Sequence, residues 1–147
     1  HIGNGKLFEE TFSYANKVLK KKNINFHFLN KISNKEVLFF YEKKEIDLFL
    51  NFSETEGIPY TFMEAFSNSV PVIAPNVGGI NEILSNSNGF LMPTISNPDH
   101  LKDCLNDYML MSLEQINKMR ELAYKTWKEK YNSEKNYTAF VEDIKSL

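Results

Sequence analysis

Hydrophobic positions along this chain change period several times, and each change marks an element. From Lys6 to Lys22 the apolar residues Leu7, Phe8, Phe12, Ala15, Val18 and Leu19 fall at helical spacing. Asn25-Phe26-His27-Phe28-Leu29 alternates and predicts a strand. Ser33 stands three residues before Glu36, a capping-box pattern that opens a helix through Tyr41. Ile46 to Phe52 is a nearly continuous apolar run, which predicts a strand at the centre of a sheet. A short helix from Pro59 or Tyr60 to Ser67 follows, then a strand over Val70–Ala74. Gly78-Gly79 opens a further helix to Leu84, and Gly89–Met92 is the last strand. From Pro98 onward the spacing is helical throughout, in three runs over 98–109, 112–131 and 133–146.

Strands alternating with helices at this spacing predict an α/β fold, a Rossmann-like parallel sheet with helices on both faces. The expectation is a single domain over 1–147, closed by the C-terminal helices from about residue 98. No internal repeat, linker or low-complexity segment interrupts it. The chain begins at His1, and His1-Ile2-Gly3-Asn4-Gly5 reads as a strand end with its glycine turn. The first elements of the fold are therefore expected to precede the chain.

Composition narrows the function class. A 42% hydrophobic and 14% aromatic content supports a core and excludes wholesale disorder. A net charge of -2 gives no general attraction to nucleic acid or to an anionic bilayer. One cysteine, Cys104, excludes an intrachain disulfide and fits a reducing, cytoplasmic setting. No 18-residue apolar run is present to span a membrane.

The chemistry concentrates in Glu56-Gly57-Ile58-Pro59-Tyr60-Thr61-Phe62-Met63-Glu64, between the predicted strand and helix. In an open parallel sheet, ligands bind beyond the carboxyl ends of the strands, and this loop lies there. A helix starting near Pro59 leaves the amides of Tyr60 and Thr61 without intrahelical partners, a start that attracts phosphate. Pro59 suits the first turn because it has no N–H to lose. Glu64 falls roughly 6 Å further along the axis, about the reach from a diphosphate to its ribose. A carboxylate accepts both ribose hydroxyls well. Glu56 stands on the other side of the phosphate, where the sugar of a nucleotide-sugar would be.

Glu56 and Glu64 match the E-x7-E motif, and around them the sequence resembles retaining glycosyltransferases of the GT-B fold, especially glycosyltransferase family 4. Asp47–Ser53 before the motif, Glu64-Ala65-Phe66, Pro71–Ala74, Val77–Ile83 and Asn88–Leu91 continue the resemblance in order. It runs from Ile2 to roughly Leu101 and thins in the C-terminal helices. Two departures are Ser69 and Asn30, where the family commonly carries glycine.

The resemblance implies that the chain is the C-terminal, donor-binding half of such an enzyme. Its N-terminal half would bind a glycan or lipid-linked acceptor. Glu56 would hydrogen-bond the donor sugar and stabilise positive charge at the anomeric carbon, with the amides of Gly57 and Ile58 flanking that sugar. Tyr60 and Thr61 would hold the distal phosphate, Glu64 the ribose, and Ile32 would line the base pocket. The co-substrate would be a UDP- or GDP-linked sugar, with no metal and no other cofactor. The whole enzyme would build a bacterial surface polysaccharide such as capsule or lipopolysaccharide. It would work in the cytoplasm or at the inner face of the cytoplasmic membrane, with peripheral membrane contact open to it. A GT-B nucleotide-sugar epimerase and a non-catalytic sugar-nucleotide binding module are the alternatives.

Charge qualifies this picture. No lysine or arginine occurs between Lys44 and Lys102, whereas Glu45, Asp47, Glu54, Glu56, Glu64, Glu82 and Asp99 all do. A diphosphate here relies on backbone amides and on cations from outside the segment. The resemblance places those cations ahead of His1, so the chain alone is expected to bind donor weakly and to be inactive.

The remaining candidates read as structural. Gly3-x-Gly5 is a turn, and His27 alternates within its strand. Cys104 is a small helix hydrophobe, Lys20-Lys21-Lys22 a helix end, and Trp127 with Tyr131 a packing pair. No two histidines have metal-ligand spacing. Glu82 supports a helix start, and Gly78-Gly79 serves either a close approach to the sugar or a turn.

Overall fold

The computed structural model describes residues 1–22 and 24–146. The chain divides into two compact units, His1–Lys43 and Lys44–Leu147.

In the first unit, helix α1 (Phe8–Val18) is followed by a 3-10 turn over Lys20–Lys22, and helix α2 spans Asn34–Lys43. The face of α1 carrying Phe8, Phe12 and buried Ala15 packs on Phe28, whose ring lies 5.6 Å from Phe8 and 5.3 Å from Phe12. The expected strand over 25–29 does not form. Only Leu29 pairs, in a single parallel bridge with Ile2, where its amide donates to the His1 carbonyl at 2.8 Å. Gly3, at φ 129, turns the facing strand away after that one bridge. The capping box forms as expected, with the Ser33 amide and hydroxyl both donating to Glu36 Oε2 at 2.7 Å. These two bonds hold the Glu36 carboxyl below its ordinary pKa.

In the second unit, strands β1 (Phe49–Leu50), β2 (Val72–Pro75) and β3 (Gly89–Met92) form a parallel sheet in the order β1-β2-β3. Helix α3 (Tyr60–Ser67) joins β1 to β2, and α4 (Ile80–Ile83) joins β2 to β3. Helices α5 (Pro98–Leu110) and α6 (Leu113–Thr126), a π-helical segment over Trp127–Tyr131 and α7 (Ser133–Lys145) complete the unit. The expected α/β architecture with a parallel sheet is observed, but its centre is not β1. All four residues of β2 are buried, whereas Leu50 of β1 is exposed on the edge.

The seven-residue run expected over 46–52 yields a strand of only two residues, because side chains claim its ends. Arg120 Nη1 donates to the Ile46 carbonyl at 3.1 Å. Asn51 makes the last ladder bond, to the Ile73 carbonyl, and its side chain then draws in the Ser53 amide at 2.8 Å and bends the chain.

Phe62, Ala65 and Phe66 of α3 are fully buried against β2 and α6. Burying each phenylalanine side chain contributes about 2–3 kcal/mol. Among the described residues Asn88 is the buried polar one, and its side-chain oxygen accepts from the Ser85 amide at 2.9 Å. Its Nδ2 donates to the Ile83 carbonyl at 3.0 Å and to Thr126 Oγ1 at 3.1 Å, tying the turn before β3 to α6.

The caps explain why the C-terminal helices match their expected bounds. Asn97 Oδ1 accepts from the amides of Asp99 and His100, with Pro98 at the first position of α5. Ser112 and Gln115 form a reciprocal capping box on α6. The run expected to stay α-helical to Tyr131 instead widens to a π-helix at Trp127.

Ser69, in the turn after α3, has φ 59, a left-handed conformation that favours glycine. Ser69→Gly relieves that strain and is offset in part by the greater freedom of glycine when unfolded. The expected net gain is about 0.5–1 kcal/mol, raising Tm by roughly 2–4 °C. A thermal melt showing an unchanged or lower Tm would count against the strain.

Candidate active site

The candidate site is assembled where the chain leaves β1. The Ser53 amide bonds to Asn51 Oδ1, and Ser53 Oγ in turn donates to Glu56 Oε1 at 2.6 Å. A relay of two short side chains therefore fixes the Glu56 carboxylate relative to the end of β1. Neither Asn51 nor Ser53 was expected in the site. Small polar residues after a strand look like ordinary loop chemistry, and only their position just before Glu56 could have drawn notice.

The backbone of the same loop is held from the far side by the glycine pair after β2. Gly78 has φ +54, and a Cβ there would lie 1.7 Å from the Glu56 carbonyl oxygen. The Gly79 amide donates to that oxygen at 3.2 Å, and a Cβ on Gly79 would lie 3.1 Å from the Gly57 carbonyl oxygen. Gly78 and Gly79 thus let two backbone segments meet, and the segment they meet carries Glu56. The structure shows Gly78-Gly79 as a turn whose backbone packs directly on that of Glu56 and Gly57.

Helix α3 opens directly after this loop. Pro59 is its N-cap, with φ -70 and ψ 127, and no side chain caps it. The Phe62 amide turns back to the Pro59 carbonyl at 3.1 Å, while the first-turn amides of Tyr60 and Thr61 belong to the positive end of the helix. Both residues are exposed. Glu64 lies one turn further on, half-buried, with its carbonyl accepting from Ser67 Oγ and Asn68 Nδ2. Gly57, Ile58, Tyr60, Thr61 and Glu64 therefore follow Glu56 on one loop and one helix start. Ile32 lies in the first unit, between Leu29 and the Ser33 cap of α2.

Other titratable groups have structural work. Arg120, the single arginine, is bonded to Ile46 at the amino end of β1, whereas Glu56 lies past its carboxyl end. Burial and then the Asp47 carboxylate push the Tyr108 hydroxyl up, against the Arg120 guanidinium. Burial, with Asp107 and Asp103 nearby, pushes the Cys104 thiol up, which disfavours the nucleophilic thiolate. The ring of Trp127, expected to pair with Tyr131, lies 5.5 Å from that of Tyr124, and the Tyr131 hydroxyl donates to the Glu82 carbonyl at 3.2 Å. Among the described residues, no three of the histidine, cysteine and acidic side chains gather closely enough to hold a metal ion. No described helix is long and apolar enough to cross a membrane.

With this geometry in place, the likenesses to known proteins agree with one another. Over 68 residues, 46% of this chain and 18% of the relative, the sequence is 37% identical to the O-antigen biosynthesis glycosyltransferase WbnH of Escherichia coli. Over 134 residues, 91% of this chain and 36% of the relative, it is 30% identical to an uncharacterized glycosyltransferase of Methanocaldococcus jannaschii. The fold superposes on HepE of Anabaena in complex with UDP, with a TM-score of 0.76 at 17% identity, covering 99% of this chain and 40% of that one. The chain thus spans well under half the length of each of these proteins. Residues 2–126 match the family described as glycosyl transferases group 1, and the chain belongs to that family.

Proposed function

We propose that this chain is the donor-binding, C-terminal domain of a retaining, GT-B, family 4 glycosyltransferase. The enzyme would transfer a sugar from a nucleotide-sugar to a glycan or lipid-linked acceptor during bacterial surface polysaccharide synthesis. The observation that carries this reading is the Glu56 carboxylate, fixed by Ser53 just ahead of the uncapped start of α3, with Glu64 one turn beyond. The likeness to an O-antigen enzyme supports the pathway, and the UDP bound to HepE supports the ligand class.

In this reading the first-turn amides at Tyr60 and Thr61 hold the distal phosphate, and the helix dipole favours its charge. Glu64 accepts the ribose hydroxyls. Glu56 accepts sugar hydroxyls and opposes positive charge as the bond from the anomeric carbon to the diphosphate oxygen breaks. The bonding electrons leave with the diphosphate. The acceptor hydroxyl attacks from the same face, and its proton passes to the departing diphosphate oxygen. Gly57 and Ile58 flank the sugar, while the assignment of Ile32 to the base pocket rests on the family resemblance alone. The leaving charge is stabilised by amides and by cations of the rest of the enzyme, so the reading calls for no metal.

A panel of UDP- and GDP-sugars offered to the full-length enzyme tests this, with the anomeric configuration of the product read by NMR. Transfer with retention is expected. Inversion, or release of an epimerised sugar without transfer, would overturn it. Glu64→Ala is expected to weaken binding of the nucleoside diphosphate about tenfold or more, because two hydrogen bonds to a charged acceptor are lost. Calorimetric titration checks this, and unchanged affinity would remove Glu64 from the ribose.

A further inference from the structure

We infer that the corner between α6 and α7 is a binding site for a phosphate-type anion. An open surface groove of about 550 Å³ lies there, lined by the exposed side chains of Tyr124 and Lys125 of α6, Lys128 and Glu129 of the π-helical segment, and Lys135 of α7. Three lysines and one carboxylate line it, in a chain whose net charge is -2. The carboxylate faces one of the three in a long, solvent-exposed ion pair, Lys125 Nζ lying 3.8 Å from Glu129 Oε1. Among the described residues, no carboxylate lies within ion-pair distance of Lys128 or Lys135. The Lys128 ammonium instead stands 5.9 Å from the centre of the Tyr124 ring.

The backbone around this hollow is specifically built. The π-helix widens the turn where Lys128 and Glu129 line the groove, a local departure that recurs at functional sites. The first turn of α7 is drawn onto it by Lys135 Nζ, which donates to the Glu129 carbonyl at 3.2 Å, and by Asn136 Nδ2, which donates to the Lys130 carbonyl at 2.9 Å. An anion entering here meets two lysine ammonium groups without acidic partners and an aromatic wall. None of these residues belongs to the loop or helix start assigned to the donor, so this site stands independently of that assignment.

Trp127 is the only tryptophan of the chain, and its ring lies 5.5 Å from Tyr124, so its fluorescence reports on the groove. Sodium pyrophosphate titrated at constant ionic strength is expected to give a saturable change that sodium chloride does not. Lys128→Gln combined with Lys135→Gln is expected to weaken that response about tenfold or more. Lys128→Arg with Lys135→Arg should keep it, and Lys118→Gln, outside the groove, should leave it unchanged. Thermal melts check that the variants are folded. A response reproduced by chloride, or undiminished in the double glutamine variant, would overturn the site. Vesicles of phosphatidylglycerol and phosphatidylcholine distinguish the source of the phosphate. Co-sedimentation that pyrophosphate reverses and the glutamine variant abolishes assigns a lipid headgroup. Pyrophosphate binding without co-sedimentation assigns a soluble phosphate compound.

Discussion

Glu56→Ala is expected to lower the transfer rate of the full-length enzyme by about 10²–10³-fold, the usual cost of removing one electrostatic contact to a developing charge. The carboxylate is half-buried, on a loop, and bonded to a single side-chain hydroxyl, so its removal should change stability by no more than about 0.5 kcal/mol. Rate and stability should therefore separate cleanly. Glu56→Gln keeps the shape and the acceptor for Ser53 but loses the charge, and should fall between the wild type and Glu56→Ala. Ser53→Ala leaves the charge and frees its carboxylate to wander, with an expected loss of about fivefold from one hydrogen bond. Steady-state kinetics check the series, and a Glu56→Ala enzyme with near-native rate would remove that residue from the chemistry.

Gly78→Ala should be the most damaging single change to the architecture of the site. The added methyl would lie 1.7 Å from the Glu56 carbonyl oxygen, in a backbone conformation at φ +54 that alanine already resists. Something must give, and the nearest atoms are backbone. Strain of about 2–3 kcal/mol is expected, lowering Tm by roughly 5–10 °C. The Glu56 carbonyl would also have to retreat by about 1 Å, a misplacement that costs on the order of 10²-fold in rate at a catalytic centre. Gly5→Ala is the control, because a Cβ there meets nothing within 4 Å. If Gly78→Ala melts and turns over like Gly5→Ala, the glycine pair does not position the Glu56 loop.

The elements legible in the sequence were those whose ends are marked by side chains. Ser33 and Glu36 form the capping box of α2 that their spacing announces, and Pro59 opens α3 at the expected place. Pairing partners were not legible. The Phe26–Phe28 alternation reads as a strand, yet strand formation needs a neighbour that runs alongside, and the facing segment turns away at Gly3. Apolar content likewise placed β1 at the sheet centre, although burial across both faces belongs to β2. The π-helix at Trp127 has no hydrophobic signature distinct from that of an α-helix, so only the hydrogen-bond geometry reveals it.

The candidate site divides in the same way. Glu56, Glu64 and the helix start between them are local in sequence, and a motif suffices to find them. The Ser53 bond is a loop conformation that residue types alone do not specify. The contact of Gly78 with Glu56 joins positions more than twenty residues apart, and it depends on β1 and β2 being neighbours. Adjacent glycines gave the signal but not the partner.

The most direct test of the donor assignment is a pair of dissociation constants for the full-length enzyme, one for the nucleoside diphosphate and one for its nucleotide-sugar. Each is measured in the wild type, in Glu56→Ala and in Glu64→Ala. Glu64→Ala should weaken both ligands by a similar factor, since both carry the ribose. Glu56→Ala should leave the nucleoside diphosphate unchanged and remove the extra affinity that the sugar provides. The opposite pattern, or equal affinities across all three proteins, would contradict the placement of the sugar at Glu56 and the ribose at Glu64.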